Sequence, residues 1–567
     1  MLERAKSRYS ARKRTIHTES QMRCHHGQRL LAVSTLVFSP YLLMVFWLAG
    51  HQDLQVCADY LFVCAAGVFL LALVARTARR FLILHFPVFV LGVLICGCTF
   101  VCGQLPGYPL AFILMTSSWE EVRGYFGLWE GQRLVLLFLG CLLCYPLLFW
   151  SVPPRTSLVD YSPWIRRAIM SCFGLMALGA ALTPEQLVES VSASPVLGTA
   201  MFVHGPVASA DYTIHGATER KRPYGAQRVG RDEVHVLVIG ESSRRDSWSV
   251  YGYSRPTTPY LQSIKREVVF FTDAISDANA TVYAVPMMLT GIGPENFSFW
   301  ASHGSLVDLV KEAGYFSVWL VNQDPGPSSL VGVAADASTY TYQSKKAAYV
   351  IYPSDEVLLP ALERQVTRKG TSIFIGMHVY GSHAPYSNRY PRSFAHFEQS
   401  QQGAATHLNG GGAQNELIDS YDDSILYTDW FLGRVIEQAR KLDVPVTVTY
   451  LSDHGEDLQQ LDGRSGHGAK VYSPHAFEIP AFVWMNPAYR SAHPDKVAAL
   501  VANASKEVRS HDFFYSLADL MGIRWPGYSP QRSFASMEFV PDTADRHIAG
   551  GRLVSHPATD PHSSNQL

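Results

Sequence analysis

Five apolar runs occupy the first third of the chain, at about residues 30–50, 55–75, 81–103, 131–152 and 164–183, each near the roughly 20 residues that a spanning helix needs. Backbone in lipid finds no water for its N–H and C=O groups, so such runs are expected to form about five transmembrane helices. A basic leader of 29 residues comes first, which argues against a cleaved signal peptide. Orientation follows from the cations. Arg4, Lys6, Arg8, Arg12, Lys13, Arg14, Arg23 and Arg29 in the leader, Arg76, Arg79 and Arg80 after the second run, and Arg155, Arg166 and Arg167 before the fifth all fall on one side. That side is the cytoplasm. An odd span count then puts the rest of the chain outside it, in the periplasm if the cell has two membranes. Between the third and fourth runs lies "LPGYPLAFILMTSSWEEVRGYF", amphipathic and too mixed to span.

All nine cysteines, Cys24 to Cys172, lie in this first third. No disulfide can therefore staple the remainder, and no cysteine there can hold a metal or act as nucleophile. The net charge of −1 offers no argument for nucleic acid. Residues 184–232 mix Pro, Gly, Ser and short charged pieces and read as a linker.

From residue 233 the pattern changes. "VHVLVIG", "YFSVWLV", "TSIFIGMHV", "PVTVTYLSD" and "IPAFVWM" are short, apolar and β-branched or aromatic, as buried parallel strands are. Helical stretches such as "GSLVDLVKEAG" and "NELIDSYDDSILYTDWFLGRVIEQARKL" alternate with them. The expectation for residues 233–540 is an α/β domain with a mostly parallel sheet. A tail from 541 has no apolar period and is expected to be disordered.

In such sheets ligands gather at the carboxyl ends of the strands, and Glu241, His378, and Asp453 with His454 each come directly after one. "VIGESSRRD" invites a serine nucleophile, but the elbow motif G-x-S-x-G requires glycine where Arg244 stands. "YLSDHGEDL" sets Asp453 beside His454, a mixture that suits zinc or manganese. "MHVYGSHAP" adds His383, and "GHG" adds His467. Any one of these is ordinarily a solvated turn residue. Five such groups at one sheet edge point to a site. His407, His547, His556 and His562 sit in polar, Gly/Ser/Pro-rich stretches and carry no such argument.

"VLVIGESSRRDSWSVYGYSRPTTPYL", "DANATVYAVPMMLTG", "HVYGSHAPYSNRYP", "YDDSILYTDWFL" and "LSDHGED…GHG", taken in order, resemble the membrane-bound phosphoethanolamine transferases of the alkaline phosphatase/sulfatase superfamily. The resemblance implies a five-span membrane domain and a periplasmic catalytic domain in the inner membrane. It implies that Glu241, Thr281, Asp453 and His454 surround one zinc, ahead of manganese, with a second zinc in some members. Thr281, in "TVYAVP", would be the nucleophile, activated by the metal, and would carry a covalent phosphothreonine. His378, His383 and His467 would handle the phosphoryl group and its protons. Asn322 would lie near the phosphate, and Thr116 and Glu120 in the amphipathic stretch would face the site. The implied donor is phosphatidylethanolamine, and the acceptor a lipopolysaccharide core, lipid A or another envelope glycan. Members acting on lipid A usually carry disulfides near the nucleophile. Here Asp277 and Met287 stand near those places, which favours the branch acting on core sugars or other glycans.

Three rival readings remain. A phosphoglycerol transferase would use the same metal-bound threonine. A sulfatase needs C/S-x-P-x-R, and the one match, Ser151 to Arg155, precedes every metal candidate. A dead scaffold or glycan sensor would be expected to have lost one of Glu241, Thr281, Asp453 or His454, and all are present.

Overall fold

The computed structural model describes residues 223–555 apart from single positions and the stretches 298–302, 324–336, 343–353, 398–411, 459–464 and 469–472, together with 78–102 and scattered positions between 68 and 153. The chain divides into two compact units. In the first, the third apolar run is helix α1, Ala78–Cys102. Its Phe81, Leu82, Phe89 and Val93 cluster with Tyr145 and Val152, and the Tyr145 hydroxyl donates to the carbonyl of Leu82 at 2.9 Å. Among the described residues no helix is long and apolar enough to cross a membrane. The leader, the runs 30–50 and 164–183, and most of 55–75, 131–152 and the linker lie outside the described residues.

The second unit is built on one seven-stranded sheet. Its strands are β1 (Val234–Gly240), β2 (Val268–Phe271), β3 (Phe316–Val321), β4 (Thr339–Tyr342), β5 (Ile373–His378), β6 (Val446–Ser452) and β7 (Ala481–Met485), in spatial order β2-β7-β6-β1-β5-β3-β4. The pairs β6-β1, β1-β5, β5-β3 and β3-β4 are parallel. Strand β7 runs antiparallel to both β6 and β2. The sheet is therefore mixed, and "IPAFVWM" is not one of the parallel strands expected. A strand buried on both faces reads as a continuous apolar run whichever way it points, so its composition carries no direction.

Both faces of the sheet are covered. Leu237, Ile239, Phe374, Leu451 and Val483 pack on one side with residues of α2 (Thr281–Thr290) and α3 (Leu306–Glu312). Val236, Val238, Ile375, Val448 and Trp484 pack on the other with Tyr421, Ile425 and Leu432 of α4 (Gly412–Arg440). Alternate residues of one strand thus serve opposite layers, as the two-residue period requires. Helix α3 starts where Ser305 and Asp308 form a reciprocal capping box.

The segment expected to be disordered from residue 541 contains a hairpin, His547–Ala549 with Arg552–Val554. Ile548 donates its N–H to the carbonyl of Asp277 at 2.8 Å and accepts the N–H of Asn279 at 3.2 Å. Backbone pairing to a loop needs no apolar period, which is why composition gave no hint of it. Residues 556–567 lie outside the described residues.

Candidate active site

The carboxyl ends of β1 and β6 lie side by side, in register from Val234 with Val446 to Gly240 with Ser452. The residues that follow them, Glu241 and then Asp453 and His454, therefore meet at one edge. All three are buried, at 1%, 0% and 0% exposure. Glu241 accepts from Ser242 Oγ at 2.9 Å, from Gln323 Nε2 at 2.9 Å, and from Thr281 Oγ1 at 3.0 Å to Oε2 and 3.2 Å to Oε1. Thr281 is the first residue of α2, at the positive end of the helix dipole, where negative charge is favoured.

His454 directs Nδ1 at the carbonyl of Gly455, 2.8 Å away. A carbonyl only accepts, so Nδ1 carries a hydrogen and Nε2 is the nitrogen turned toward the carboxylates and Thr281. That Nε2 lies 3.3 Å from Thr281 Oγ1 and 3.4 Å from both Glu241 Oε1 and Asp453 Oδ2. Asp453 Oδ1 takes the N–H groups of Ser242 and His454, at 3.1 and 2.7 Å. Asp453 Oδ2 is buried with no hydrogen-bond partner.

These separations test whether a cation fits. Four ligands at about 2.0–2.1 Å from a tetrahedral zinc stand roughly 3.3 Å from one another. The measured spacings of 3.0–3.4 Å match that edge length, and an orphaned carboxylate oxygen points into the same cluster. The electrostatics agree. Burial and the neighbouring Glu241 charge push the Asp453 carboxyl up to about 7. Burial opposes ionisation of Glu241 too, yet His454, His383 and His467 hold it well below the usual carboxylate range. Despite burial, Asp453 and Glu241 raise His454 to about 10. A divalent cation relieves this crowding of carboxylates.

Glu241, Asp453 and His454 form one group able to hold a metal ion, and His454, Glu456 and His467 form another. His467 Nδ1 donates to Glu456 Oε2 at 2.8 Å, leaving its Nε2 as an acceptor. The His467 ring lies 4.2 Å from that of His454 and 5.9 Å from that of His383, centroid to centroid. His383 Nδ1 faces the carbonyl of Ala384 at 2.7 Å, so its Nε2 is likewise an acceptor. His378 ends β5, is buried, and has no hydrogen bond at Nε2. Burial lowers its pKa to about 4, so the ring is neutral. Asn322, after β3, donates Nδ2 to Asp355 Oδ1 at 2.8 Å, and Asp355 also takes the N–H groups of Tyr380 and Gly381. Thr116 and Glu120 lie outside the described residues.

Glu456, Gln323 and Asp355 escaped the sequence reading. Glu456 was within reach, since it stands two residues after His454 in "SDHGED". Gln323 follows Asn322 directly, but neither it nor Asp355 belongs to any spacing that implies a site.

The family model described as Sulfatase matches residues 234–523. The chain belongs to the sulfatase family. Among its curated relatives are phosphoethanolamine transferases. EptC of Escherichia coli O18:K1:H7 is 25% identical over 316 residues, 54% of this chain and 54% of EptC. The chain thus spans about half the length of the first curated relatives it matches. Among solved structures, the integral membrane protein lipooligosaccharide phosphoethanolamine transferase A from Neisseria meningitidis aligns with TM-score 0.63 and 22% identity, covering 89% of this chain and 97% of that one. The C-terminal periplasmic domain of Escherichia coli EptC, a complex with Zn, aligns with TM-score 0.54 and 22% identity over 59% and 97%. At such identity the likeness speaks to the fold, here the mixed-sheet sulfatase fold.

Proposed function

We propose that this sulfatase-family chain transfers phosphoethanolamine from phosphatidylethanolamine to a glycan or glycolipid of the cell envelope, by way of phosphothreonine at Thr281. The observation carrying the reading is Thr281 Oγ1, half-buried at a helix N-terminus and within 3.0–3.3 Å of Glu241 and His454. Glu241, Asp453, His454 and Thr281 would hold a zinc ion, which would supply charge for the phosphoryl oxygens and lower the hydroxyl's pKa. Thr281 Oγ attacks phosphorus, its proton passes to a neighbouring base, and the bond to the diacylglycerol oxygen breaks. His383 and His467, each with an accepting Nε2, carry the proton that the departing diacylglycerol takes. In the second half an acceptor hydroxyl gives a proton to the same histidines and attacks phosphorus, and the Thr281 Oγ–P bond breaks. The helix dipole favours the anionic adduct between the two halves.

A lipid donor fits the membrane domain of about five spans and the periplasmic catalytic unit expected from the sequence. The absence of cysteine after Cys172 favours a core-sugar or other glycan acceptor over lipid A. Mass spectrometry of the protein incubated with labelled phosphatidylethanolamine tests the reading. A phosphoethanolamine increment on the Thr281 peptide, absent from Thr281→Ala, is the expected result. A phosphoglycerol increment from mixed lipids would move the donor and keep the nucleophile. The absence of both an increment and diacylglycerol release would favour a scaffold.

A further inference from the structure

Ser242 adopts φ 54°, the one positive φ at a non-glycine position among the described residues. That left-handed conformation is unfavourable for a residue with a Cβ and persists only where the surroundings enforce it. Here they do. Its carbonyl accepts the Tyr421 hydroxyl at 2.7 Å. Its N–H donates to Asp453 Oδ1 at 3.1 Å, and its hydroxyl to Glu241 Oε1 at 2.9 Å. One fully buried residue therefore fastens both carboxylates of the candidate metal group. Gln323 fastens the opposite oxygen, donating Nε2 to Glu241 Oε2 while also holding the carbonyl of Val379, each at 2.9 Å.

We propose that Ser242 and Gln323 are positioning residues for the metal, fixing the plane of the Glu241 carboxylate and turning Asp453 Oδ2 inward. The inference rests on the metal site of the proposed function and adds to it the residues that set its geometry. With Oε1 and Oε2 each taking one outside donor, the carboxylate cannot rotate about its Cγ–Cδ bond without breaking one of the two bonds. Asp453 is restrained in the same way, since Oδ1 is occupied by two backbone N–H groups and only Oδ2 is left to the cation. Groups that orient metal ligands in this way commonly contribute 10–100-fold to metal affinity. The serine after β1 is thus neither a nucleophile nor a passive turn residue.

The test is zinc affinity, measured on the full chain in detergent by competition with a chromogenic chelator, alongside the melting temperature of the zinc-free protein. Ser242→Gly removes the hydroxyl but adopts φ 54° without strain, whereas Ser242→Ala removes the hydroxyl and keeps the strain. Both are expected to weaken zinc binding by roughly 10–100-fold, with the melting temperature of Ser242→Gly no lower than that of the parent. Gln323→Leu, similar in length and without the donor, is expected to weaken binding in the same direction. Wild-type affinity in Ser242→Gly and Gln323→Leu would overturn the inference. Glu241→Ala separates the two levels. If it too binds zinc like the parent, the metal site itself is misplaced. If it alone loses zinc, the site stands and the positioning role falls.

Discussion

Tyr386 donates its hydroxyl to Oε1 of Glu456 at 2.8 Å, and so leaves Oε2 to the ring of His467. Glu456 is 1% exposed, so the tyrosine and the histidine hold a buried carboxylate between them. The arrangement fixes which nitrogen of His467 carries hydrogen, as the partner carboxylates of other working histidines do.

Replacing Glu456 by Gln keeps the volume and lets the amide flip, so the tautomer of His467 is no longer imposed. If the proposed transfer is the reaction, its turnover is expected to fall on the order of 10–100-fold with little change in melting temperature. Full turnover in Glu456→Gln would remove His467 from proton transfer.

Asp277 is fully buried four residues before Thr281 and meets Arg509 Nε at 3.0 Å and His511 Nδ1 at 2.8 Å. Burial alone would raise its pKa, yet the His511 and Arg509 charges outweigh that and hold it far below the ordinary value. A carboxyl depressed in the folded state contributes stability above its unfolded pKa of about 3.9 and loses it as pH falls below that. Asp277→Asn should cost about 3–5 kcal/mol at neutral pH by leaving Arg509 buried and unpaired. Urea titrations between pH 3 and 7 should show its stability falling less steeply below about pH 4 than the parent's.

Gly381 has φ 50°, and a Cβ there would stand 2.8 Å from both the N and the O of Glu241. Gly381→Ala combines left-handed strain of about 1–2 kcal/mol with a clash against the backbone that carries a metal ligand. Zinc affinity and turnover should fall together. Loss of stability with intact zinc affinity would show that the loop, rather than Glu241, absorbs the displacement.

Removing zinc should lower thermal stability, since Asp453 and Glu241 are then left crowded together and buried. Free zinc at 100 times its Kd stabilises the folded state by about 2.7 kcal/mol through mass action alone. Chelator should therefore shift the melting curve of the parent and leave Asp453→Ala unshifted. Equal shifts in both would move the metal elsewhere.

The candidate ligands were legible because each follows a buried strand: Glu241 after "VHVLVIG", Asp453 and His454 after "VTVTYLS". Apolar runs announce strands, and a charged residue at their end has no packing reason to be there. Thr281, the proposed nucleophile, was different, since nothing in its own neighbourhood marks such a role and only the resemblance pointed to it. Gln323 and Asp355 were illegible for a physical reason. Their roles are hydrogen bonds across |i−j| of 82 and 25–33 residues, between loops whose approach is set by the sheet order. Strand direction in β7 was missed because a strand buried on both faces reads as a continuous apolar run with no mark of direction, and the edge strands β2 and β4, of four residues each, are too short to carry a pattern.

The hairpin at 547–554 has a consequence in time as well as space. Ile548 closes the loop at 277–279, yet it is synthesised long after Thr281 and after every strand of the main sheet. A chain interrupted before residue 547 would possess its strands, its candidate metal ligands and its threonine, with the carbonyl of Asp277 and the N–H of Asn279 still without the bonds that Ile548 brings. In a growing chain the loop ahead of Thr281 would thus gain its last two backbone bonds only when the distal hairpin arrived.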